Sequence, residues 1–247
     1  MRATDFEYRH QTLLHMLVVG LALLTYVIEP DDIVWAAVRN HTTYRALLER
    51  LVFGTGAFLI VSSALFQTWA SAYAGLDAAS ESQVLACDGP YRYVQHPLYL
   101  GRIFFALGIG LLAPALGTVI LLTGEIVLIL RLLGRDYVGS TAGVLRPYRE
   151  QVPRFLPSLR PRFPARGFAG HWREALRKEA SKWGLAVTMI VFTLTLQDRI
   201  AEILASVSVL IWFVLNMPDF MRSRGSKNNP EGEPSPLRLP PPQSSLR

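Results

Sequence analysis

Apolar residues fall along this chain in blocks, without the alternation of a half-buried strand or the single stripe of a surface helix. Leu13 to Ile28, Leu51 to Ala72, Ile103 to Leu130 and Trp183 to Met217 hold most of them. A helix needs about 20 apolar residues to cross the hydrocarbon of a bilayer, and several blocks approach that length. The pattern predicts an all-α, polytopic integral membrane protein with about six transmembrane helices around a helical-hairpin core. The expected spans are Leu13 to Ile28, Leu51 to about Ala72, Tyr99 to Ala113, Leu116 to about Leu133, Trp183 to Leu196 and Ile200 to Met217. Pro114 and Gly117 mark the turn of the hairpin.

The polar intervals punctuate these spans. Arg2 and Arg9 precede the first, but no small-x-small cleavage site follows it, so it reads as a retained span. Asp77 to His96 is a polar connector. Between Gly134 and Gly170, Pro147, Pro153, Pro157, Pro161 and Pro164 exclude a long helix. From His171 to Trp183, Trp172, Leu176 and Trp183 share one helical face, with Arg173, Arg177 and Lys178 opposite. That arrangement predicts an amphipathic helix lying in the interface. Arg222 to Arg247 is rich in proline and polar residues and cannot bury a core, so disorder is expected. Four segments follow: residues 1–50, an N-terminal span and connector; 51–160, a membrane core; 161–217, the interfacial helix and two last spans; and 218–247, a tail.

Charge adds an orientation. The net charge is +6, but about a dozen of the 25 Lys and Arg residues lie between Arg131 and Lys182. A basic loop between spans is the positive-inside signature, which argues against a nucleic-acid partner. Six spans then put both termini, the Asp77 to His96 connector and the basic loop in the cytoplasm. The lone cysteine, Cys87, excludes an intramolecular disulfide. His10, His15 and His41 have no metal-ligand spacing, so no metal site is expected.

The stretch GPYRYVQHPLYLG, Gly89 to Gly101, interrupts this apolar chain. Pro97 suits the first position of a helix, where its missing N–H costs nothing. The free N–H groups of such a first turn attract an anion. Arg92, His96 and Tyr99 surround it, and Tyr91 and Tyr93 offer flat faces. The same residues are also ordinary members of an interfacial belt. A hairpin brings its two ends together, so Arg131, Asp136 and Arg154 are candidates to close over His96.

This stretch resembles the core signature of the isoprenylcysteine carboxyl methyltransferase family, a Gly-Pro-Tyr…Arg-His-Pro-x-Tyr-x-Gly run followed by a helical hairpin and a Tyr…Val-Pro-Arg-x-x-Pro ending. Gly89, Pro90, Tyr91, His96, Pro97, Tyr99 and Gly101 match, as do Tyr148, Val152, Pro153, Arg154 and Pro157. The resemblance covers about Leu51 to Leu159. It implies methyl transfer from S-adenosylmethionine, bound on the cytoplasmic side, to a lipophilic or prenylated acceptor reaching it from the lipid bilayer. By position, Tyr91, His96, Pro97, Tyr99, Gly101 and Tyr148 would hold the cofactor. Two positions depart from the pattern. Gln95 stands where the family has arginine, and the acidic pair is reduced to one carboxylate, assigned by hairpin length to Asp136 with Glu125 as the competing choice.

Transfer from a sulfonium needs alignment more than acid–base chemistry. Arg92 or Arg154 would orient an anionic acceptor, while Asp136 or His96 would take a proton from an amine or thiol. Acceptors of the implied kind are an isoprenyl-thioether carboxylate, a phospholipid amine or a small thiol. A membrane reductase of related architecture and a non-catalytic membrane scaffold are the alternatives from other classes. Glu125 falls inside an expected span, where a structural or protonated state is expected before a catalytic one.

Overall fold

The computed structural model describes residues 3–29, 31, 44–74, 88–139, 146–165, 167 and 169–225, and every regular element among them is a helix. Helix α1 (Asp5–Arg9) starts with a capping box. The Thr4 side chain accepts from the Glu7 N–H, and the Glu7 carboxylate accepts from the Thr4 N–H at 2.6 Å. Helix α2 (Gln11–Leu24) closes in a 3₁₀ turn, Thr25–Val27. Then come α3 (Arg45–Ala74), a 3₁₀ turn at Gly89–Arg92, α4 (Pro97–Gly110), α5 (Ala115–Gly139), α6 (Arg146–Gln151), α7 (Trp172–Lys178), α8 (Ala180–Thr195) and α9 (Asp198–Gly225).

Each of the six expected spans is helical. Two stretches, Ala46–Ala74 in α3 and Ala115–Gly134 in α5, are long and apolar enough to cross a bilayer; Gln11–Val27, Pro97–Gly110 and Ala180–Thr195 are apolar but shorter. Helix α3 packs against α4, α7 and α8, while α2 packs on α5, and α4 joins the two groups through α5. Ile60, Phe105, Leu121 and Met189 meet in the core between them. Outward, α3 exposes Leu51, Phe58 and Leu65, and α5 exposes Val119, Ile126 and Leu130.

The hairpin turn is fixed from both sides. Glu29 accepts from the Leu116 N–H at 3.1 Å, placing an anion at the start of α5. The Tyr26 hydroxyl donates to the Leu112 carbonyl. Gly117 lets α2 and α5 touch, because a Cβ there would lie 2.4 Å from the Ala22 carbonyl oxygen. Small residues at such crossings let helix backbones approach closely.

Several boundaries differ from expectation: α3 begins at Arg45, before Leu51, and α5 runs past Leu133 to Gly139. The amphipathic helix expected from His171 to Trp183 breaks at Glu179. That residue is buried, accepts from the Ser71 hydroxyl at 2.8 Å and pairs with Lys182. Trp183 therefore lies on α8, where its indole N–H donates to Thr68 Oγ1 at 2.9 Å, so Trp172 and Leu176 alone form the exposed apolar face of α7. Helix α9 also runs past Met217 to Gly225, into the segment expected to be a tail. His41, Cys87 and residues 226–247 lie outside the described residues.

Candidate functional site

The signature run begins at Gly89, whose φ of +59° favours glycine and whose Cβ, if present, would lie 2.4 Å from the Tyr73 ring. One 3₁₀ turn follows. Pro97 then opens α4, with His96 at its N-cap and no side chain capping that end.

The second matching segment docks directly onto this run. Gln95 donates from its side-chain amide to the carbonyls of Arg149 (3.0 Å) and Val152 (2.5 Å), and from its backbone N–H to that of Pro153 (2.9 Å). The buried Tyr148 hydroxyl donates to the Tyr91 carbonyl at 2.8 Å. Ser158 N–H reaches the Tyr93 carbonyl at 3.0 Å, and Arg162 N–H reaches the Arg92 carbonyl at 2.9 Å. Arg92 returns the contact through Nε, which donates to the Phe163 carbonyl at 2.8 Å. Buried backbone groups must find partners, and here two loops supply them to one another. Two runs more than 50 residues apart thereby become one unit.

His96 lies half-buried at the junction. Its ring stacks on Tyr99, 5.5 Å between centroids, and meets Phe155 at 6.4 Å. Burial pushes its pKa down to about 4, assisted by the charges of Arg149 and Arg154. The Arg102 guanidinium lies 5.8 Å from the centre of the Tyr99 ring. The site thus joins an uncapped helix start, two arginine charges and stacked rings.

The remaining named residues are distributed as follows. Pro97 and Tyr99 are buried in the first turn of α4, and Arg154 is exposed beside the junction. Gly101 faces α3, where a Cβ would lie 2.4 Å from Gln67 Cγ. Arg131 does not close over His96. It pairs with Glu7 at 2.8 Å, and its carbonyl accepts from the Ala3 N–H at 2.9 Å. The hydrogen bond from Arg131, followed by that from the Thr4 backbone, holds the Glu7 carboxyl down to about 2. Asp136 belongs to the last turns of α5, and its side chain lies outside the described residues.

One constellation is only partly visible in the sequence, which singles out Glu125 but not its partner. His15 of α2 and Glu125 of α5, both buried, meet at 2.6 Å between Nδ1 and Oε1. Arg102, a turn beyond Tyr99, donates from Nη2 to Gln11 Oε1 at 3.2 Å. Arg102 Nη1 and Glu125 Oε2 are buried without a hydrogen-bond partner among the described residues. His15 and Glu125 are 110 residues apart, each a single polar position in an apolar run, so no local spacing links them.

No protein-family model, curated protein or solved structure matches this chain. Among the described residues, no group of three or more His, Cys, Asp or Glu side chains could hold a metal ion.

Proposed function

We propose that this chain is a six-span integral membrane protein that transfers a methyl group from S-adenosylmethionine to a lipophilic or membrane-associated acceptor at its cytoplasmic face. The observation that carries the reading is the docking of residues 148–163 onto residues 91–96 around the first turn of α4. The two halves of the motif resemblance thus meet at one place. The outward apolar faces of α3 and α5 support lipid contact, and the basic loop supports the cytoplasmic placement of both termini.

The residues present fit the proposed methyl donor. Its carboxylate suits the uncapped start of α4 beside Arg149 and Arg154, and its adenine suits the rings around His96. When bound, it supplies an electrophilic methyl group on a sulfonium. His96, held neutral near pH 7 by burial, offers a ring nitrogen for hydrogen bonding without adding a third positive charge. Tyr99 and Phe155 exclude water from one side of that ring. Gln95 works at a distance from the ligand, fixing the loops through their carbonyls.

Binding of S-adenosylhomocysteine to the detergent-solubilised full chain tests the reading. It should raise the melting temperature, and His96→Ala should abolish that shift while the protein stays folded. Stabilisation by NADPH instead would favour a reductase, and stabilisation by neither ligand a scaffold. A cysteine introduced beside Asp31 should label in intact cells without permeabilisation; labelling only after permeabilisation would reverse the topology.

A further inference from the structure

We propose that the cluster of His15, Arg102 and Glu125 is the acceptor site and that it takes a neutral thiol head on a lipophilic tail. The proposal rests on the methyl-transfer reading above and adds the acceptor class. Two buried atoms carry it: Arg102 Nη1, a donor without an acceptor, and Glu125 Oε2, an acceptor without a donor. A buried polar group left unpaired is costly, so such a complementary pair calls for a ligand offering one hydrogen to Oε2 and one lone pair to Nη1.

The surroundings narrow the ligand. Glu125 is 2% exposed, and the flanking residues Leu128, Ile129 and Leu132, one and two turns along α5, pack with Tyr99 in a single apolar cluster. The tail of such a ligand must therefore be apolar. A carboxylate head would face the Glu125 carboxylate, and an ammonium head would face the Arg102 guanidinium; each places like charges together. An alcohol satisfies both hydrogen bonds but holds its proton too tightly for a carboxylate base. A thiol satisfies both and ionises far more readily.

The cluster lies one turn of α4 beyond Tyr99, whose ring joins His96 on one side and Arg102 on the other. His15 acts as a positioning residue: drawn with the proton on Nδ1, it donates to Glu125 Oε1 at 2.6 Å and leaves Oε2 as the basic atom. In the step itself, the thiol S–H bond breaks and its proton goes to Glu125 Oε2. The electron pair left on sulfur forms the new bond to the methyl carbon, the sulfonium carbon–sulfur bond breaks, and its pair stays on the departing sulfur. Arg102 stabilises the negative charge that develops on the attacking sulfur. The proton passes to water when the thioether leaves.

Binding without any methyl donor gives a test independent of turnover. Dodecanethiol, dodecanol, dodecylamine and dodecanoate share a tail length and differ in head. The wild-type chain in detergent should bind the thiol at least about tenfold more tightly than the amine or carboxylate, and Glu125→Gln should reduce that preference over the amine. With S-adenosylmethionine, transfer to dodecanethiol should fall by about 100-fold or more in Glu125→Gln, while S-adenosylhomocysteine binding stays within twofold. Should Glu125→Gln not fold, Arg102→Gln carries the test, with weaker thiol binding and slower transfer expected at unchanged S-adenosylhomocysteine affinity. S-adenosylhomocysteine binding without thiol selectivity, thiol binding without transfer, or transfer that survives the substitution would overturn the acceptor site and leave the methyl-donor reading standing. Thiol selectivity without S-adenosylhomocysteine binding would overturn the methyl-donor reading and the acceptor role with it, leaving only a thiol-binding site.

Discussion

The docked loops at the start of α4 and the polar cluster one turn deeper are built in opposite ways. In the loops, backbone carbonyls accept and side chains mostly position: Gln95, Tyr148 and Arg92 each donate to a main-chain oxygen. In the cluster, side chains meet side chains across α2, α4 and α5, and two polar atoms are left over. Satisfied backbone contacts make a rigid frame, whereas unsatisfied buried side chains are where a ligand has something to gain. The difference separates a part satisfied by its own backbone from a part with polar capacity left over.

The comparison breaks most completely if the helices that carry the cluster separate. Gly117→Val puts a side chain where even a Cβ lies 2.4 Å from the Ala22 carbonyl. It should cost about 3 kcal/mol or more, seen as loss of folded material in size-exclusion chromatography. His15→Leu attacks the cluster alone. Leaving Glu125 buried without its partner should cost about 3 kcal/mol, and the double substitution His15→Leu/Glu125→Leu should recover most of it. Denaturant titration in detergent reads both, and equal loss in the single and double variants would show that the pair is not a unit.

The loops respond to a smaller extent. Gln95→Glu replaces a donor with a carboxylate facing the Arg149 and Val152 carbonyls and should cost about 2 kcal/mol, whereas Gln95→Arg keeps a donor and should melt close to the wild type. The last effect is on pH dependence. The His96 pKa is lowered from 6.5 to about 4, so the unfolded chain takes up the proton first. Stability from this group is complete above about pH 6.5 and is lost as pH falls through about 4. Melting curves over that window should flatten in His96→Gln; an unchanged slope would mean that His96 is solvated.

The same contrast explains what was legible in the sequence. Block hydrophobicity marks the helices of the six expected spans, because a long apolar run is a local property. Pro97 and Gly89 mark the turn and helix start for the same reason, since each restricts its own backbone. The docking of Tyr148 and Val152 against Tyr91 and Gln95 was accessible only through the paired motif. The break at Glu179 has no local signal, and the Ser71 hydroxyl that Glu179 accepts from lies 108 residues away on α3. Glu125 stands out in the sequence as a charge inside an apolar run, but its pairing with His15 does not, because that depends on which helices become neighbours. Arg131, a candidate to close over His96 by hairpin proximity, pairs with Glu7 instead, and nothing local points to Glu7.

The attachment of Ala3 and Glu7 to Arg131 also bears on how the chain is made. Glu7 is synthesised 124 residues before the arginine that will hold it, and Ala3 must wait for the carbonyl of that same residue. The earliest described segment to leave the ribosome is thus among the last to find its place. Until α5 arrives, Thr4 and Glu7 have only each other, which preserves the first turn of α1 during the wait. Closure of this long loop completes the covering of Tyr99 and Leu132, which share a cluster with Ala3. Placing Ala3 and completing the apolar cluster around Tyr99 therefore both require the second arm of the hairpin.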